Sequence, residues 1–381
     1  MDHSATTPVD PLVVDAMLPY FTERFGNASS LHSFGQEAAE ALSDSRSRVA
    51  ESIGAREEEI IFTSGGTESD NIALQGVLSR KAGKRQHIIT SVIEHPAVLN
   101  TCSFLESAGH EVTYVPVNSE GIVDLGEVER AVRDNTVLIS IMHANNEIGT
   151  IQPVKEIAGI AKENDIYLHT DAVQSVGKIP VDVNELGVDM LSISSHKIHG
   201  PKGIGALYVR EGTTLDPVIF GGGHERGLRP GTENIPGIVG LAKAVSLARE
   251  RLGADSAHMG KLRDSLIKNV FGTISDVRLN GHPTQRLPNN ANFSFRHVEG
   301  ESLLMMLDMA GIAVSTGSAC SSRSLHSSHV LTSIGLEPDY IHGSVRISLG
   351  RENTMDEIDH LTGVLQETVA KLRQISSPGQ C

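Results

Sequence analysis

The sequence predicts an α/β protein: a mostly parallel sheet with helices on both faces, followed by a smaller second domain. Three observations predict it. Short β-branched runs alternate with amphipathic helical patterns through the first two-thirds of the chain, the signature of strand–helix–strand units. A glycine- and proline-rich break between Glu211 and Pro236 interrupts every period. The total of 381 residues exceeds one small core and fits a large domain with a smaller companion.

Taken in order, Ile60–Thr63, Ile88–Ile93, Val112–Val115, Val137–Met142, Ile166–Thr170 and Met190–Ser194 read as buried strands. Ala38, Leu42, Ser45, Val49 and Ile53 share one helical face, as do Val154, Ile157, Ala158 and Ala161. The stretch from Glu211 to Pro236 is long for a structureless connection, and such segments tend to be functional or to reach a neighbour. A helix beginning near Gly237 leads into the second domain. That domain ends in a helix capped by Thr354 and Glu357, with Ile358, Leu361, Leu365, Val369 and Leu372 on one face. Ser315–Ser328, rich in serine and holding Cys320, reads as a mobile loop. No internal repeat is present.

The bulk composition excludes several function classes. A formal charge of −15 argues against a nucleic-acid partner. The apolar runs are too short to span a bilayer, so no membrane association is expected. Met1 opens directly onto Asp2-His3-Ser4, without the basic and apolar start of a secretory signal. Three cysteines make no disulfide framework, so the expected setting is reducing and cytoplasmic. Although the chain holds 17 histidines, it has neither a His-x-x-x-His helix nor a Cys-x-x-Cys pair, so no intrinsic metal is expected.

Three motifs carry chemistry, and each has a plainer reading beside it. Thr63-Ser64-Gly65-Gly66-Thr67-Glu68 leads from a strand through a glycine turn to a helix start, a place where free amides bind phosphate. Such turns are also common without a ligand, and Thr67 with Asp70 could simply form a capping box. Asp171 closes a strand at the edge where α/β sheets gather ligands, or else is an N-cap for the next helix. Lys197, in Ser194-Ser195-His196-Lys197, emerges at that same edge as a Schiff-base candidate or an ordinary solvated lysine. Together a phosphate cradle, an acid and a lysine match the needs of pyridoxal phosphate. His95 offers a proton carrier and the His143–Gly149 segment an amide. Cys320 reads as an accessible, reactive thiol or an incidental one. Cys102, among Leu99, Phe104 and Leu105, reads as a small core residue, and Cys381 as a free end.

These motifs occur in one order, along with Ala5-Thr6-Thr7-Pro8, Thr170-Asp171-Ala172-Val173-Gln174, Gly221-Gly222-Gly223-His224-Glu225, Arg229-Pro230-Gly231-Thr232 and Gly317-Ser318-Ala319-Cys320. The set resembles the group I cysteine desulfurases of the NifS/IscS type, within the aspartate-aminotransferase-like superfamily, over nearly the whole chain. The resemblance implies fold type I of the pyridoxal-phosphate-dependent transferases, with a mostly parallel seven-stranded sheet. A large domain would cover residues 15–255, and a small α+β domain 1–14 plus 256–381. His3 and His199 depart from the residues common in that family.

The resemblance also implies roles. Lys197 would hold the cofactor, Asp171 its pyridine nitrogen and Gln174 its phenolic oxygen, while His95 would stack on the ring and carry protons. Gly66, Thr67, Ser194 and His196 would hold the phosphate, with Thr232 supplied by a second subunit of a homodimer. Asn146 and Arg346 would orient the carboxylate of L-cysteine, and Cys320 would take its sulfur as a persulfide. The receiver would be an iron–sulfur scaffold, where Cys320 is also a candidate cluster ligand, or another sulfur acceptor such as a tRNA-thiolation protein. The competing expectations are a selenocysteine lyase or other fold-type I enzyme, and a non-catalytic sulfur carrier.

Overall fold

The computed structural model describes residues 1–79, 85–316 and 327–376. Seven strands form the larger sheet: β1 (Ile60–Thr63), β2 (His87–Ser91), β3 (Glu111–Val115), β4 (Thr136–Ser140), β5 (Tyr167–Asp171), β6 (Met190–Ser194) and β7 (Gly205–Val209). Their order is β1-β7-β6-β5-β4-β2-β3. Neighbours from β3 to β6 pair in parallel, whereas β7 runs antiparallel to both β1 and β6. The seven-stranded, mostly parallel sheet is therefore present. Every residue of β1, β2, β6 and β7 is buried, as expected for strands covered on both faces.

Six of these strands coincide with the predicted runs to within a few residues. β7 was not anticipated, because it opens on Gly205 directly after the turn-like Gly200-Pro201-Lys202-Gly203. Gly205 is needed there: a Cβ would lie 2.5 Å from the Ile193 carbonyl oxygen and 2.7 Å from Gly65 Cα. The missing side chain lets the turn after β1 press onto the sheet.

A second sheet, β8 (Val277–Asn280), β9 (Asn290–Phe295) and β10 (Ser344–Ser348), is antiparallel in the order β10-β9-β8. It packs with the Gly300–Met309 and Met355–Ser376 helices around Leu266, Phe293, Leu303, Ile347 and Leu365. The terminal helix starts as predicted, with Glu357 N donating to Thr354 Oγ1 at 3.3 Å and Thr354 N donating to Glu357 Oε2 at 3.0 Å. The Ile235–Thr273 helix, 39 residues and thus about 58 Å long, belongs to both cores. Its first half buries Ile238, Leu241 and Val245 in the large one, and its second half Leu262, Leu266 and Val270 in the small one.

The N-terminal residues also join the two parts. His3 N donates to the Ser348 carbonyl at 3.1 Å, on β10. A few residues later, Thr7 N donates to the His196 carbonyl and Asp10 N to the His199 carbonyl, each at 2.9 Å, and Val13 enters the large core.

Candidate active site

The parallel strands deliver their following residues to one edge. After β1, Gly65 takes φ +151°, and a Cβ on Gly66 would lie 2.6 Å from Val173 Cγ2. The glycine turn thus lies directly against the residues that follow β5. Its helix, Gly66–Ser79, begins with amides that have no intrahelical partner. Thr67 is exposed at this start, and Ser194 closes β6 beside it, its Oγ 3.9 Å from a Cβ built on Gly65. The capping-box alternative is not realised. Glu68, rather than Asp70, reaches back to the Ser64 amide, and Asp70 turns inward with 1% exposure.

Asp171 is buried at the end of β5, where its Oδ1 accepts from the Val173 amide at 2.9 Å. Burial raises its pKa, and the nearby His95 and Lys197 pull it back down. The Lys197 amine donates to the carbonyls of Ser4 at 2.5 Å and Ala5 at 2.8 Å. The Ala5–Pro8 motif is therefore a clamp on the lysine segment: Thr7 Oγ1 donates to the His196 carbonyl and accepts from the His199 amide. His196 also pairs its Nδ1 with Thr6 Oγ1 at 3.1 Å. Gln174 Nε2 donates to the same Ser4 carbonyl that Lys197 uses.

His95 caps the helix Pro96–Ser107, with Nδ1 accepting from the Ala97 amide at 3.1 Å. That bond leaves the ring proton on Nε2, and burial lowers the ring's pKa, so the imidazole is neutral at neutral pH. After β4, Asn145 fixes a tight loop by accepting from the Glu147 and Ile148 amides, and the Asn146 carbonyl accepts from Arg346 Nη1 at 3.0 Å. Arg346 comes from β10, is 3% exposed, and is held by Asp2 Oδ1 at 2.9 Å.

Cys320 and Cys381 lie outside the described residues. The flanks of the Cys320 segment are described: Ser315 exchanges backbone hydrogen bonds with Arg346, and Ser328 Oγ donates to Glu147 Oε2 at 2.6 Å. Both flanks therefore lie beside the Arg346–Asn146 contact. Cys102 is a buried core thiol pushed up to about 12, as its sequence context predicted. Thr232 is exposed on the Gly221–Pro236 segment, and among the described residues no hydrogen bond joins it to the glycine turn.

This edge fits pyridoxal phosphate on its own features. The turn is one that a Cβ would fill, and a helix N-terminus opens at it. Asp171 is a buried acid that a cationic ring nitrogen would stabilise in its ionised form. Lys197 stands beside it. Among the described residues no group of three His, Cys, Asp or Glu side chains could hold a metal ion.

Residues 1–361 match the class-V aminotransferase family model. The chain belongs to that family, among its cysteine desulfurases. It is 55% identical to the cysteine desulfurase IscS of Methanosarcina thermophila over 376 residues, which cover 99% of this chain and 93% of that one. Among solved structures, a NifS-like protein superposes with a TM-score of 0.92 at 41% identity, covering 97% of this chain and 98% of that chain. SspA in complex with cysteine superposes with a TM-score of 0.83 at 40% identity, over 93% and 99%.

Within this class-V aminotransferase frame, sequence reasoning missed several polar residues packed against the site. Glu94 is fully buried, accepts from Ser91 Oγ at 2.6 Å and from the Met142 amide at 3.0 Å, and is pushed up to about 8 by burial. Asp70 rises well above the usual carboxylate range through burial and the nearby Asp171. It faces a row in which Ser140, His169 and Ser192 are hydrogen-bonded in turn. Asp2 on Arg346 and Lys178 on Gln174 complete the group. A signal existed for Glu94, a carboxylate directly after a buried strand. Asp70 and Lys178 looked like ordinary helix and loop polar residues.

Proposed function

We propose that this protein is a cysteine desulfurase that converts L-cysteine to L-alanine and collects the sulfur as a persulfide on Cys320. The observation that carries the reading is the convergence of Lys197, Asp171 and His95 at the sheet edge beside the glycine turn. The cofactor is pyridoxal phosphate, which supplies an aldehyde for an amine and a ring that withdraws electrons from the substrate's Cα.

In this reading the amides of Gly66 and Thr67, with Ser194 and His196, would hold the phosphate, and Thr232 of a second copy would complete the cradle. Asp171 would pair with the pyridine nitrogen and favour its protonated form, Gln174 would reach the phenolic oxygen, and His95 would lie against the ring. Lys197 would hold the cofactor and its Nζ would serve as the base for the Cα proton of the substrate, whose carboxylate would rest on Arg346 and Asn146. His95 moves the proton of the substrate thiol through Nε2. The Cys320 thiolate then bonds to the substrate sulfur as the carbon–sulfur bond breaks. The bonding pair stays with the carbon, which takes a proton and leaves as the methyl group of alanine.

The working form is a homodimer in the cytoplasm, and the persulfide passes to an iron–sulfur scaffold or another sulfur acceptor. The long Gly221–Pro236 segment supports the dimer, because Thr232 on it is exposed and, among the described residues, makes no hydrogen bond to its own glycine turn. No described helix is long and apolar enough to cross a membrane. The test is direct: purified protein, L-cysteine and a thiol reductant should yield alanine and sulfide in equal amounts. Alanine without sulfide, or neither product, contradicts the reading.

A further inference from the structure

Arg346, which the reading above sets against the substrate carboxylate, is a buried cation already held by an acid of its own chain. A guanidinium carries five N–H donors. Nη1 donates to the Asn146 carbonyl at 3.0 Å, Nη2 donates to Asp2 Oδ1 at 2.9 Å, and Nε is buried without a partner. Glu147 is the other acid nearby, but its Oε2 accepts from the Ser328 hydroxyl. Among the described residues no hydrogen bond joins Glu147 to Arg346, so the contact with Asp2 sets the guanidinium on its acidic side.

Asp2 is itself fixed by backbone and side chain. Its backbone runs parallel to the end of β10, where Ser348 N donates to the Met1 carbonyl at 2.9 Å and His3 N to the Ser348 carbonyl at 3.1 Å. The second carboxylate oxygen, Oδ2, accepts from Ser315 Oγ at 2.8 Å. Ser315 N in turn donates to the Arg346 carbonyl at 3.2 Å, and Arg346 N donates to the Ser315 carbonyl at 2.6 Å. Asp2, Ser315 and Arg346 therefore form a closed ring of contacts. Asp2 meets the guanidinium with one oxygen, which leaves Nε and further N–H groups for a second carboxylate. A long side chain loses rotamer freedom when it clamps a ligand, and a fixed partner imposes that order before the ligand arrives.

We propose that Asp2 is a positioning residue for substrate recognition: it fixes the Arg346 guanidinium so that the remaining N–H groups meet the α-carboxylate of the amino acid. The proposal rests on the placement of that carboxylate at Arg346 in the reading above. Asp2 acts through Arg346 rather than on the reacting atoms. Ser315 supports it by holding the oxygen that Arg346 does not use. The opposite role, a carboxylate that competes with the substrate for the same guanidinium, predicts a change of opposite sign.

The test reads binding rather than turnover, on the full chain loaded with pyridoxal phosphate. L-Alanine, the expected product, and L-alaninamide, which lacks the carboxylate, are titrated separately and followed by the visible band. The wild type should prefer L-alanine. Asp2→Ala should weaken L-alanine binding about tenfold and leave L-alaninamide unchanged, a split that general damage to the fold does not produce. Asp2→Asn, whose amide can accept from Arg346 and donate to Ser315, should stay within about threefold of wild type. Ser315→Ala removes only the donor to Oδ2 and should weaken L-alanine about threefold. Unchanged L-alanine binding by Asp2→Ala, or by Ser315→Ala where the first variant does not fold, overturns the proposal. Tighter binding makes Asp2 a competitor, and equal losses for both ligands make it a general support of the fold; either result overturns the proposal too. Arg346→Ala separates the failures. If it abolishes the preference for the carboxylate while Asp2→Ala keeps it, only the role of Asp2 is rejected. If Arg346→Ala keeps the preference, the placement of the substrate beneath the proposal is wrong.

Discussion

Replacing Glu94 with glutamine should stabilise the protein at neutral pH, although the residue adjoins the site. Glu94 is fully buried, and only hydrogen-bond donors face its carboxyl: the Ser91 hydroxyl and the Met142 amide. Burial pushes it up to about 8 from an ordinary 4.5, and the nearby Asp171 adds to the rise. Below about pH 4.5 the folded and unfolded chains both hold this proton, and the contribution to stability is complete. As pH rises from there toward 8, only the fold keeps the proton, and stability falls by about 1.4 kcal/mol per unit. At pH 7, some 2.5 units above the unfolded value, the loss is about 3 kcal/mol. Glutamine carries no charge in either state, and its amide can accept from Met142 N and donate to Ser91 Oγ. Urea unfolding of the cofactor-free protein at several pH values tests this. The advantage of Glu94→Gln should be near zero at pH 4.5 and grow to about 3 kcal/mol at pH 7. A variant less stable than wild type at pH 7, or a gap that does not change with pH, would refute the neutral, buried acid.

Three further outcomes are expected. Glu225 is 8% exposed, pairs with Arg46 at 2.7 and 2.8 Å and accepts from the Phe62 amide at 2.8 Å. Glu225→Ala should therefore cost about 3–5 kcal/mol and Glu225→Gln less, an order that urea midpoints would reverse if the pair were dispensable. Borohydride should bleach the visible band and leave the cofactor on the peptide containing Lys197; label on another lysine would contradict the site. Thr232→Ala should weaken cofactor retention by on the order of 1.5–3 kcal/mol in a protein that sediments as a dimer, and a fully active monomer would contradict the shared cradle.

Most of the large sheet was legible because its central strands are buried and appear as apolar runs, whereas β7, equally buried, opens on a glycine after a turn-like stretch. β9 obeys different physics. Its Asn290, Asn292 and Ser294 are all buried, and the two asparagines reach the Glu147 carbonyl at 3.2 and 3.1 Å. Its other face, Ala291, Phe293 and Phe295, lies in the small core, but the polar residues between them look solvent-facing or like loop until their partners are known. The site residues followed the same division. Asp171 ends a strand and Lys197 and His95 come within four residues of one, so the sequence put them at one edge. Lys178 is buried against Gln174 four residues earlier and Asp70 faces His169 across a packed layer, and neither burial is encoded by spacing. The Ala5–Pro8 motif was visible as a likeness, but the contacts on the Lys197 amine come from the Ser4 and Ala5 carbonyls, which any residue could supply, while the Thr7 hydroxyl holds the segment around it.

The central claim is that the sulfur of L-cysteine moves to Cys320 at a site that binds the amino acid without that thiol. Cys320→Ala separates the two halves. Adding L-cysteine to the variant should still change the visible band, while persulfide and sustained alanine production fall together. Cys102→Ala and Cys381→Ala should stay near wild type. Alanine released from L-cysteine by Cys320→Ala at the wild-type rate would contradict the account.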